Sequence, residues 1–299
     1  MEPILDRIKK GEILVADGAM GTMLFQKGLK PGECPETLNL TNPEILEDIA
    51  RDFLNAGAEI IQTNTFGASP VNLREYGMED KTEEINTIAV SCVKKSVKGQ
   101  AYISGSCGPS GKLLKPYGDV SSEILFLSFF RQMKALVTSD VDIICVETMI
   151  DLQEATLAVK AAKTASPQIP VMATMTFDKT PKGFYTVMGV SIKKAAVDLQ
   201  EAGADIIGSN CGNGIENMVE IAVEFSNSTN LPLLIQSNAG QPETREGKLF
   251  YSETPGLFAE KTKDLIDAGV SIIGGCCGTT PEHIKAIRKS VNSFQHSTE

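Results

Sequence analysis

Short, nearly continuous apolar runs recur eight times along the chain, and each run ends in small or polar residues. The runs lie at residues 13–21, 59–68, 101–111, 141–148, 169–177, 204–214, 231–240 and 270–279. Runs of this length, rich in Val, Ile and Leu, are typical of strands buried on both faces of a parallel sheet. Amphipathic segments separate them, for example 42–59, in which Ile45, Ile49, Phe53 and Leu54 share one helical face. Eight such strand–helix pairs predict an α/β fold, a single (β/α)8 barrel.

A doubly wound open sheet is the alternative α/β architecture. However, no Gly-rich phosphate-binding motif follows the first predicted strand, which favours the barrel. No low-complexity linker divides the chain, so we predict one domain over residues 1–299. Residues 18–42 are expected to form the longest loop and to cover part of the barrel mouth.

Charge and cysteine content narrow the class of protein. The net charge of −10 argues against binding to nucleic acid or to an anionic membrane surface. The chain has no apolar run long enough to span a membrane, and residues 1–12 are charged and lack the apolar stretch of a secretory signal. Seven cysteines in such a chain predict a reducing, cytoplasmic environment with free or metal-bound thiols rather than a disulfide framework.

Polar side chains end several of the predicted strands. In a (β/α)8 barrel these positions surround one mouth, where the chemistry of the fold takes place. They are Asp17, Asn64, Thr65, Ser106, Cys107, Glu147, Thr148, Asn210, Cys211, Asn238, Cys276 and Cys277. Cys211 ends the sixth predicted strand and the adjacent Cys276 and Cys277 end the eighth. Since only one strand lies between these two, the three sulfurs can converge.

Adjacent cysteines have two readings. They can be small buried core residues, or they can hold a soft metal ion, whereas a disulfide between neighbours would be strained. Three converging thiolates suit zinc and leave its fourth position open. Cys107 is a rival ligand, while His283 is better explained by the first turn of a helix after Thr280 and Pro281, and His296 lies in a polar tail.

Zinc bound by three thiolates carries a formal negative charge and is a weak Lewis acid toward carbonyl groups. It is well suited to bind and deprotonate a fourth, incoming thiol. The bound sulfur would stay nucleophilic, so the predicted reaction is alkylation of a substrate thiol by an activated methyl group. A non-catalytic protein that binds zinc or thiols through a closed structural site is the alternative of a different class.

Six motifs in the chain, in this order, resemble the homocysteine S-methyltransferase family. They are "DGAMGT", "TNTFGA", "ET" after the fourth predicted strand, "NCG", "SNAG" and "GGCCGTTPEH". The resemblance extends from about residue 10 to residue 292 and is closest to the homocysteine-binding module of cobalamin-dependent methionine synthase. It implies that Cys211, Cys276 and Cys277 bind a catalytic zinc, and that Asp17 and Glu147 hold the amino group of homocysteine.

The resemblance also implies that backbone near Gly18 and Ala19 receives the homocysteine carboxylate. Asn210 is a candidate substrate contact, although it and Asn238 could equally be turn-forming residues. The two acids have structural readings as well, Asp17 as a cap of the turn that follows it and Glu147 as a partner in a barrel salt bridge. Met20, Met23 and Phe66 are expected to line the pocket.

The methyl donor is open among a methyl-corrinoid, a sulfonium such as S-methylmethionine and a quaternary ammonium such as betaine. Aromatic cages bind quaternary ammonium groups, but this chain has no Trp and five Tyr, and Gly67 stands where the betaine enzymes carry a tyrosine. The sequence contains no Asp-x-His-x-x-Gly corrinoid-binding motif. We therefore predict conversion of homocysteine to methionine with methylcobalamin carried by a separate corrinoid protein, and a self-sufficient S-methylmethionine or betaine enzyme is the alternative.

Overall fold

Eight parallel strands form a nearly closed barrel, as the sequence predicts. The computed structural model describes residues 1–245 and 248–295. Each of the eight apolar runs coincides with one barrel strand, and only β4 extends beyond its run, by one residue. These strands are β1 (Leu14–Val15), β2 (Ile60–Gln62), β3 (Tyr102–Cys107), β4 (Ile143–Met149), β5 (Val171–Met175), β8 (Ile206–Asn210), β9 (Leu233–Ser237) and β12 (Val270–Gly275). Their order around the barrel is β1-β12-β9-β8-β5-β4-β3-β2, and every pair is parallel.

Helices surround the barrel. They are α1 (Ile4–Lys9), α2 (Met20–Gln26), α3 (Thr37–Thr41), α4 (Pro43–Asn55), α5 (Pro70–Leu73), α6 (Thr82–Val97), α7 (Ser122–Thr138), α8 (Leu152–Ala165), α9 (Ile192–Ala202), α10 (Ile215–Ser226), α11 (Pro255–Asp267) and α12 (Pro281–Gln295). In α4, Pro43 occupies the first helical position and Ile49 and Phe53 are fully buried, while Ile45 and Leu54 are partly buried. Within the described part of the chain, no helix is both long enough and apolar enough to cross a membrane.

Several elements within the connections were not predicted. Residues 18–42 are not one uninterrupted loop, because they contain α2 and α3. Two antiparallel hairpins also extend the connections after β5 and β9, namely β6 (Asp178–Thr180) with β7 (Gly183–Tyr185) and β10 (Glu243–Arg245) with β11 (Lys248–Phe250). These elements are short, and β6 is mostly exposed, so they lack the apolar pattern from which the barrel strands were predicted.

The barrel interior is filled by a core of its own, separate from the larger core between strands and helices. This interior cluster comprises Ile4, Leu14, Ala16, Ile60, Tyr102, Ile143, Cys145, Met172, Ile206, Leu234 and Ile272. Every barrel strand contributes at least one side chain, and Ile4 of α1 packs against them, with Leu5 and Ile8 partly buried beside it. Because this cluster fills the barrel on the side of α1, any binding site inside the barrel lies toward the C-terminal ends of the strands.

The seam between β1 and β2 closes the barrel, and two carboxylates support it. The strands are joined by a single bridge between Ala16 and Ile60. On one side of this bridge Glu59 accepts a hydrogen bond from the Val15 N–H (3.4 Å), and on the other Asp17 Oδ2 accepts one from the Gln62 N–H (2.8 Å). These side-chain carboxylates therefore accept hydrogen bonds from backbone N–H groups that a longer β1–β2 pairing would satisfy with backbone carbonyl groups.

Glu59 also joins two helices to the seam, since its carboxylate is paired with Arg7 of α1 and Arg288 of α12. Glu59→Ala is expected to lower the free energy of unfolding by about 1–3 kcal/mol, because it leaves both guanidinium groups without this partly buried partner. Thermal and urea denaturation at neutral pH measure the loss.

This stabilisation should depend on pH. Burial raises the pKa of the Glu59 carboxyl, but the charges and hydrogen bonds of Arg288 and Arg7 outweigh it, so the net pKa is lowered. The contribution is therefore present above the ordinary pKa of glutamate and is lost as the pH falls through the lowered pKa. Glu83→Ala is the control, because this more exposed partner of Arg131 should cost less than about 1 kcal/mol. Equal losses in the two variants would contradict a special role for Glu59.

Candidate functional site

A cavity of about 270 Å³ opens at the C-terminal ends of the barrel strands. Its lining residues are Gly18, Ala19, Met20, Gly21, Thr22, Leu24, Pro35, Glu36, Gln62, Thr63, Asn64, Phe66, Ser106, Glu147, Thr148, Cys211, Gln236, Gly275, Cys276 and Cys277. The segment 18–42 covers part of this mouth, as predicted. Met20 and Phe66 line the cavity, but the prediction for Met23 was wrong, because Met23 is buried in the core and Leu24 of the same helix lines the cavity instead.

The three predicted cysteines converge in this cavity. Cys211 follows β8, Cys276 and Cys277 follow β12, and β9 lies between these strands. Their Sγ atoms all lie within 4.8 Å of one another, and those of Cys211 and Cys277 are 3.8 Å apart. A tetrahedral zinc site with Zn–S bonds of about 2.3 Å separates its sulfurs by about 3.8 Å. The donor set and its spacing therefore fit three positions of a tetrahedral zinc site.

Backbone hydrogen bonds to the middle strand hold these cysteines. The Cys211 N–H donates to Gln236 O (3.2 Å) and the Cys276 N–H donates to Ser237 O (2.7 Å), so both strand ends are tied to β9. Cys211 has a φ of +60°, a left-handed conformation that is uncommon for residues other than glycine. Such conformations persist only where the surrounding structure enforces them, and they cluster at functional sites.

The three thiols influence one another's ionisation. Hydrogen bonds from Cys276 and Cys277 lower the pKa of Cys211, whereas the pKa values of Cys276 and Cys277 are raised, chiefly by their interaction with Cys211. Deprotonation of Cys211 therefore disfavours deprotonation of the other two thiols. A bound cation would remove this limit, because it attracts all three thiolates.

One of the two predicted acids lines the cavity, and the other is buried directly before the lining residue Gly18. Glu147 at the end of β4 lines the cavity, and burial raises its pKa to about 7 despite the hydrogen bond that the Ser106 hydroxyl donates. Asp17 is only 1% exposed and lies behind the cavity lining, and burial raises its pKa to about 8 against the hydrogen bond from Gln62. Its Oδ1 atom has no hydrogen-bond partner among the described residues. This unused acceptor can take a ligand donor.

The salt-bridge reading of Glu147 finds no support in this cavity. Its oxygens accept hydrogen bonds from Ser106 and from Asn210, both of which are neutral. Among the described lining residues there is no Lys, Arg or His. Two buried carboxyl groups without a basic side chain beside them make the cavity suitable for a cationic group of a ligand.

The predicted carboxylate-binding backbone is also at the cavity wall. Gly18 and Ala19 both line it, but the Ala19 N–H already donates to Thr279 Oγ1 (3.2 Å). Gly18 is packed closely, since a Cβ atom there would come within 2.8 Å of the same Thr279 oxygen. The backbone of Gly18 and Ala19 therefore lies next to the two acids, but the Ala19 N–H is already hydrogen-bonded to Thr279.

Residues 14–291 match the sequence profile described as homocysteine S-methyltransferase. The chain belongs to the homocysteine S-methyltransferase family. It is 31% identical over 300 residues to the methionine synthase of Mycobacterium tuberculosis and 31% identical over 296 residues to that of Mycobacterium leprae. The alignments cover 95% and 93% of this chain but only 25% and 24% of those proteins, so the chain spans about a quarter of the length of these relatives.

Solved structures of this fold include the Escherichia coli homocysteine methyltransferase MmuM. Its metallated form superposes with a TM-score of 0.80 at 23% identity, covering 96% of this chain and 99% of that one. Its oxidized form gives 0.80 at 22% identity, covering 97% and 99%, and its apo form gives 0.75 at 23%, covering 97% and 98%. At this level of identity the likeness concerns the fold, and it agrees with the barrel described above.

Other polar residues that the sequence placed at strand ends have structural contacts. Asn64 donates to Pro35 O (2.9 Å) and to Asn39 Oδ1 (2.8 Å), and so fastens segment 18–42 to the mouth. Cys107 is fully buried, and its thiol donates to Gln132 Oε1 (3.3 Å), so it does not join the sulfur cluster.

His283 is the histidine that the structure describes, and its contacts are those predicted for the first turn of a helix. The ring of His283 contacts Thr280 through Nδ1 and the Glu253 carbonyl through Nε2 (3.1 Å), as expected for a residue in the first turn of α12. It is not among the residues that line the cavity. His296 lies outside the described residues.

Tyr251 is a neighbour of the cysteines that the sequence did not identify. Burial, followed by the negative charge of the three cysteines and a hydrogen bond with Cys277, raises its pKa to about 12. Its ring packs over Gly278, whose φ of +81° and missing side chain leave room for it. Tyr251 follows the β10–β11 hairpin rather than a barrel strand, so nothing in the strand-end pattern indicated it.

The buried Asp17 carboxyl should make the metal-free protein less stable at alkaline pH. Its pKa of about 8 exceeds the ordinary value of 3.8, which means that the folded protein accommodates the neutral carboxyl group better than the charged one. The free energy of unfolding therefore falls as the pH rises through about 8. Asp17→Asn, which keeps an oxygen for the Gln62 N–H, should remove this loss. Relative to the unmodified protein, its free energy of unfolding should rise by on the order of 3 kcal/mol from mildly acidic to mildly alkaline pH.

Denaturation curves recorded across this pH range test the expectation. The exposed Asp119→Asn is the control, because a solvated carboxyl should not produce the trend. A constant difference between Asp17→Asn and the unmodified protein across the range would show that Asp17 is not a strained buried acid.

Proposed function

We propose that this chain is a single homocysteine-binding domain and a zinc-dependent methyltransferase that methylates the sulfur of homocysteine to give methionine. The observation that carries the proposal is the convergence of three cysteine sulfurs in a cavity that Glu147 also lines, with the buried Asp17 directly before the lining residue Gly18. Membership of the homocysteine S-methyltransferase family supports the substrate and the reaction class. Cys211, Cys276 and Cys277 would hold the zinc.

When bound, zinc would provide the open position at which a substrate thiol loses its proton and is kept as a nucleophilic thiolate. The chain's own residues would bind the rest of the substrate. Asp17 Oδ1 and the Glu147 carboxylate would accept hydrogen bonds from the substrate ammonium group, which would offset the cost of ionising both acids in a buried place. Backbone near Gly18 would face the substrate carboxylate.

The reaction that follows is a displacement at carbon. The homocysteine sulfur attacks the methyl carbon of the donor, so that a sulfur–carbon bond forms while the bond between methyl and donor breaks. The electron pair of the broken bond remains with the donor, and the thiol proton has passed to solvent. The cavity contributes orientation, since it fixes the amino end of the substrate relative to its sulfur.

An open site favours catalysis over the alternative of a closed structural zinc. A structural site of this kind needs four protein ligands. Among the His, Cys, Asp and Glu side chains of the described residues, the cluster of potential ligands contains only the three cysteines, and each is partly exposed to the cavity. A position facing the cavity would therefore be free for a thiol.

Zinc content tests the proposed ligands. The purified protein should contain about one zinc per chain, and Cys211→Ala, Cys276→Ala and Cys277→Ala should each lose it, because two thiolates bind zinc far more weakly than three. Oxidants should release the metal as well, since the thiolates are accessible. Metal analysis provides the measurement. Cys107→Ala is the matched control and should keep its zinc, and full retention in Cys211→Ala would reject the three-ligand site.

For the donor, we propose a methyl-corrinoid carried by a separate protein. Large apolar side chains are exposed on the connections that follow the barrel strands, and we call this set the apolar rim. It consists of Phe25, Phe66, Tyr76, Leu113, Tyr117, Ile150, Val187, Met188 and Phe250. These connections leave the same ends of the strands as the cavity, and exposed apolar side chains on them favour a macromolecular partner that covers this end of the barrel. The relatives named methionine synthase contain about three times as much additional chain, which is consistent with a need for further components.

A self-sufficient enzyme with a small donor is the second candidate. The E. coli homocysteine methyltransferase supports it, because 99% of that chain aligns with this barrel. A protein named for this activity thus consists of a single chain of about this size. Among small donors, S-methylmethionine is favoured over betaine. Phe66 is the one aromatic residue among the described residues that line the cavity, and a single ring does not form a cage for a quaternary ammonium group.

Turnover with three donors under identical reducing conditions distinguishes these candidates. Methylcobalamin, free or carried by a partner, is expected to methylate homocysteine faster than S-methylmethionine or betaine does. Formation of methionine, measured by mass spectrometry, provides the readout, with Cys276→Ala as the inactive control. If S-methylmethionine reacts faster by orders of magnitude, the chain is a self-sufficient sulfonium enzyme. If no donor methylates homocysteine while the zinc stays inaccessible to added thiols, the non-catalytic alternative holds.

A further inference from the structure

We infer that Asn210 is a positioning residue that links the amino-group part of the site to its sulfur part, and that it thereby makes the cavity selective for amino thiols. The inference rests on the proposed function. Asn210 is fully buried at the end of β8 and does not line the cavity. Unlike Asp17 Oδ1, its amide oxygen and nitrogen are both occupied by hydrogen bonds within the protein, so it is not placed to contact substrate. This differs from the substrate contact that the sequence suggested.

The orientation of the Asn210 amide is fixed by its partners. Its Oδ1 accepts hydrogen bonds from the Thr148 N–H (2.7 Å) and the Thr174 hydroxyl (2.7 Å). Because a backbone N–H can only donate, Oδ1 must face Thr148 and the Nδ2 group must face the other way. The side chain cannot be flipped without leaving a buried backbone donor unpaired.

The Nδ2 group consequently points at both parts of the site. It donates to Glu147 Oε2 (3.3 Å) and to Thr148 Oγ1 (2.8 Å), and Cys276 Sγ lies 3.9 Å away. Ser106 donates to the other oxygen of Glu147. Two neutral donors therefore orient the Glu147 carboxylate, and one of them also reaches a sulfur of the cysteine cluster.

Asn210 additionally holds a strained stretch of backbone. Thr148 has a φ of +60°, which is an outlier for a β-branched residue, and the pairing of β4 with β5 is irregular between Val146 and Met149. The Asn210 amide binds both the N–H and the hydroxyl of Thr148. This clamp maintains the turn of the chain immediately after Glu147 and so determines where its carboxylate lies.

The consequence is a fixed separation between two groups on different strands. Glu147 is at the end of β4 and Cys276 follows β12, while Asn210 on β8 contacts both. A ligand that carries an amine and a thiol gains from this fixed separation, whereas a simple thiol does not. Asn210 should therefore govern the preference for homocysteine over the same molecule without its amino group, mercaptobutanoate.

Calorimetric titration of the zinc-loaded protein with these two thiols provides the test. Asn210→Ser removes the amide without adding a charge, and it should reduce the preference for homocysteine by about tenfold or more while zinc content stays unchanged. Glu147→Gln should reduce it similarly, and the double variant should lose no more than Glu147→Gln alone, because both changes act through one carboxylate. If Asn210→Ser does not fold, Asn210→Asp keeps the acceptor for Thr148 and should show the same loss.

Asn213→Ser is the matched control. Asn213 is also buried after β8, but its amide donates to the Phe177 carbonyl (2.6 Å) rather than to the acid, so this variant should lose stability and keep the preference. A retained preference in the Asn210 variants, or a loss of zinc together with the preference, would overturn the positioning role. If the unmodified protein shows no preference for homocysteine, the proposed function itself fails.

Discussion

Closure of the barrel at the β1–β2 seam is the constraint on which the site depends. The seam has only one bridge between the strands, and side-chain carboxylates supply acceptors on both sides of it. Asp17 is one of these carboxylates, and only one of its oxygens is used by the seam. The same side chain thus helps to close the barrel and keeps one unpaired acceptor directly before Gly18, which lines the cavity. A structural reading and a ligand-binding reading of Asp17 are therefore compatible, because each uses a different oxygen.

The acidic groups and thiols at the mouth have no positively charged partner among the described lining residues. Three thiols and Glu147 line the cavity, Asp17 is buried directly before the lining residue Gly18, and burial raises the pKa values of both acids. No basic residue among the described lining residues compensates them. The folded chain thus retains groups that destabilise it, a feature that is usual where a site is built for a ligand. Under the proposed function, zinc and the substrate ammonium group would each relieve one part of this cost.

The sequence was sufficient for the barrel and for the convergence of the cysteines. Strands buried on both faces leave a continuous apolar signal, and barrel topology then brings Cys211 together with Cys276 and Cys277. The hairpins, α2 and α3 were missed because they are short and stabilised by contacts distant in sequence, such as those of Asn64 with Pro35 and Asn39. Tyr251 and the direction of the Asn210 amide depend on how separate connections pack, which no local pattern records.

The cysteines and the two acids form the polar part of the mouth, which we call the floor, and the apolar rim lies outside it. This division has a physical consequence for methyl transfer. The floor binds and orients, but a cavity open to water screens its charges and lets water compete for hydrogen bonds. A partner that covers the apolar rim would expel this water, and the interactions of the two acids with an ammonium group would strengthen. A small donor would leave more of the rim exposed. Because Phe66 both lines the cavity and belongs to the exposed rim, it is the point at which coverage by a partner and the interior of the cavity would be coupled.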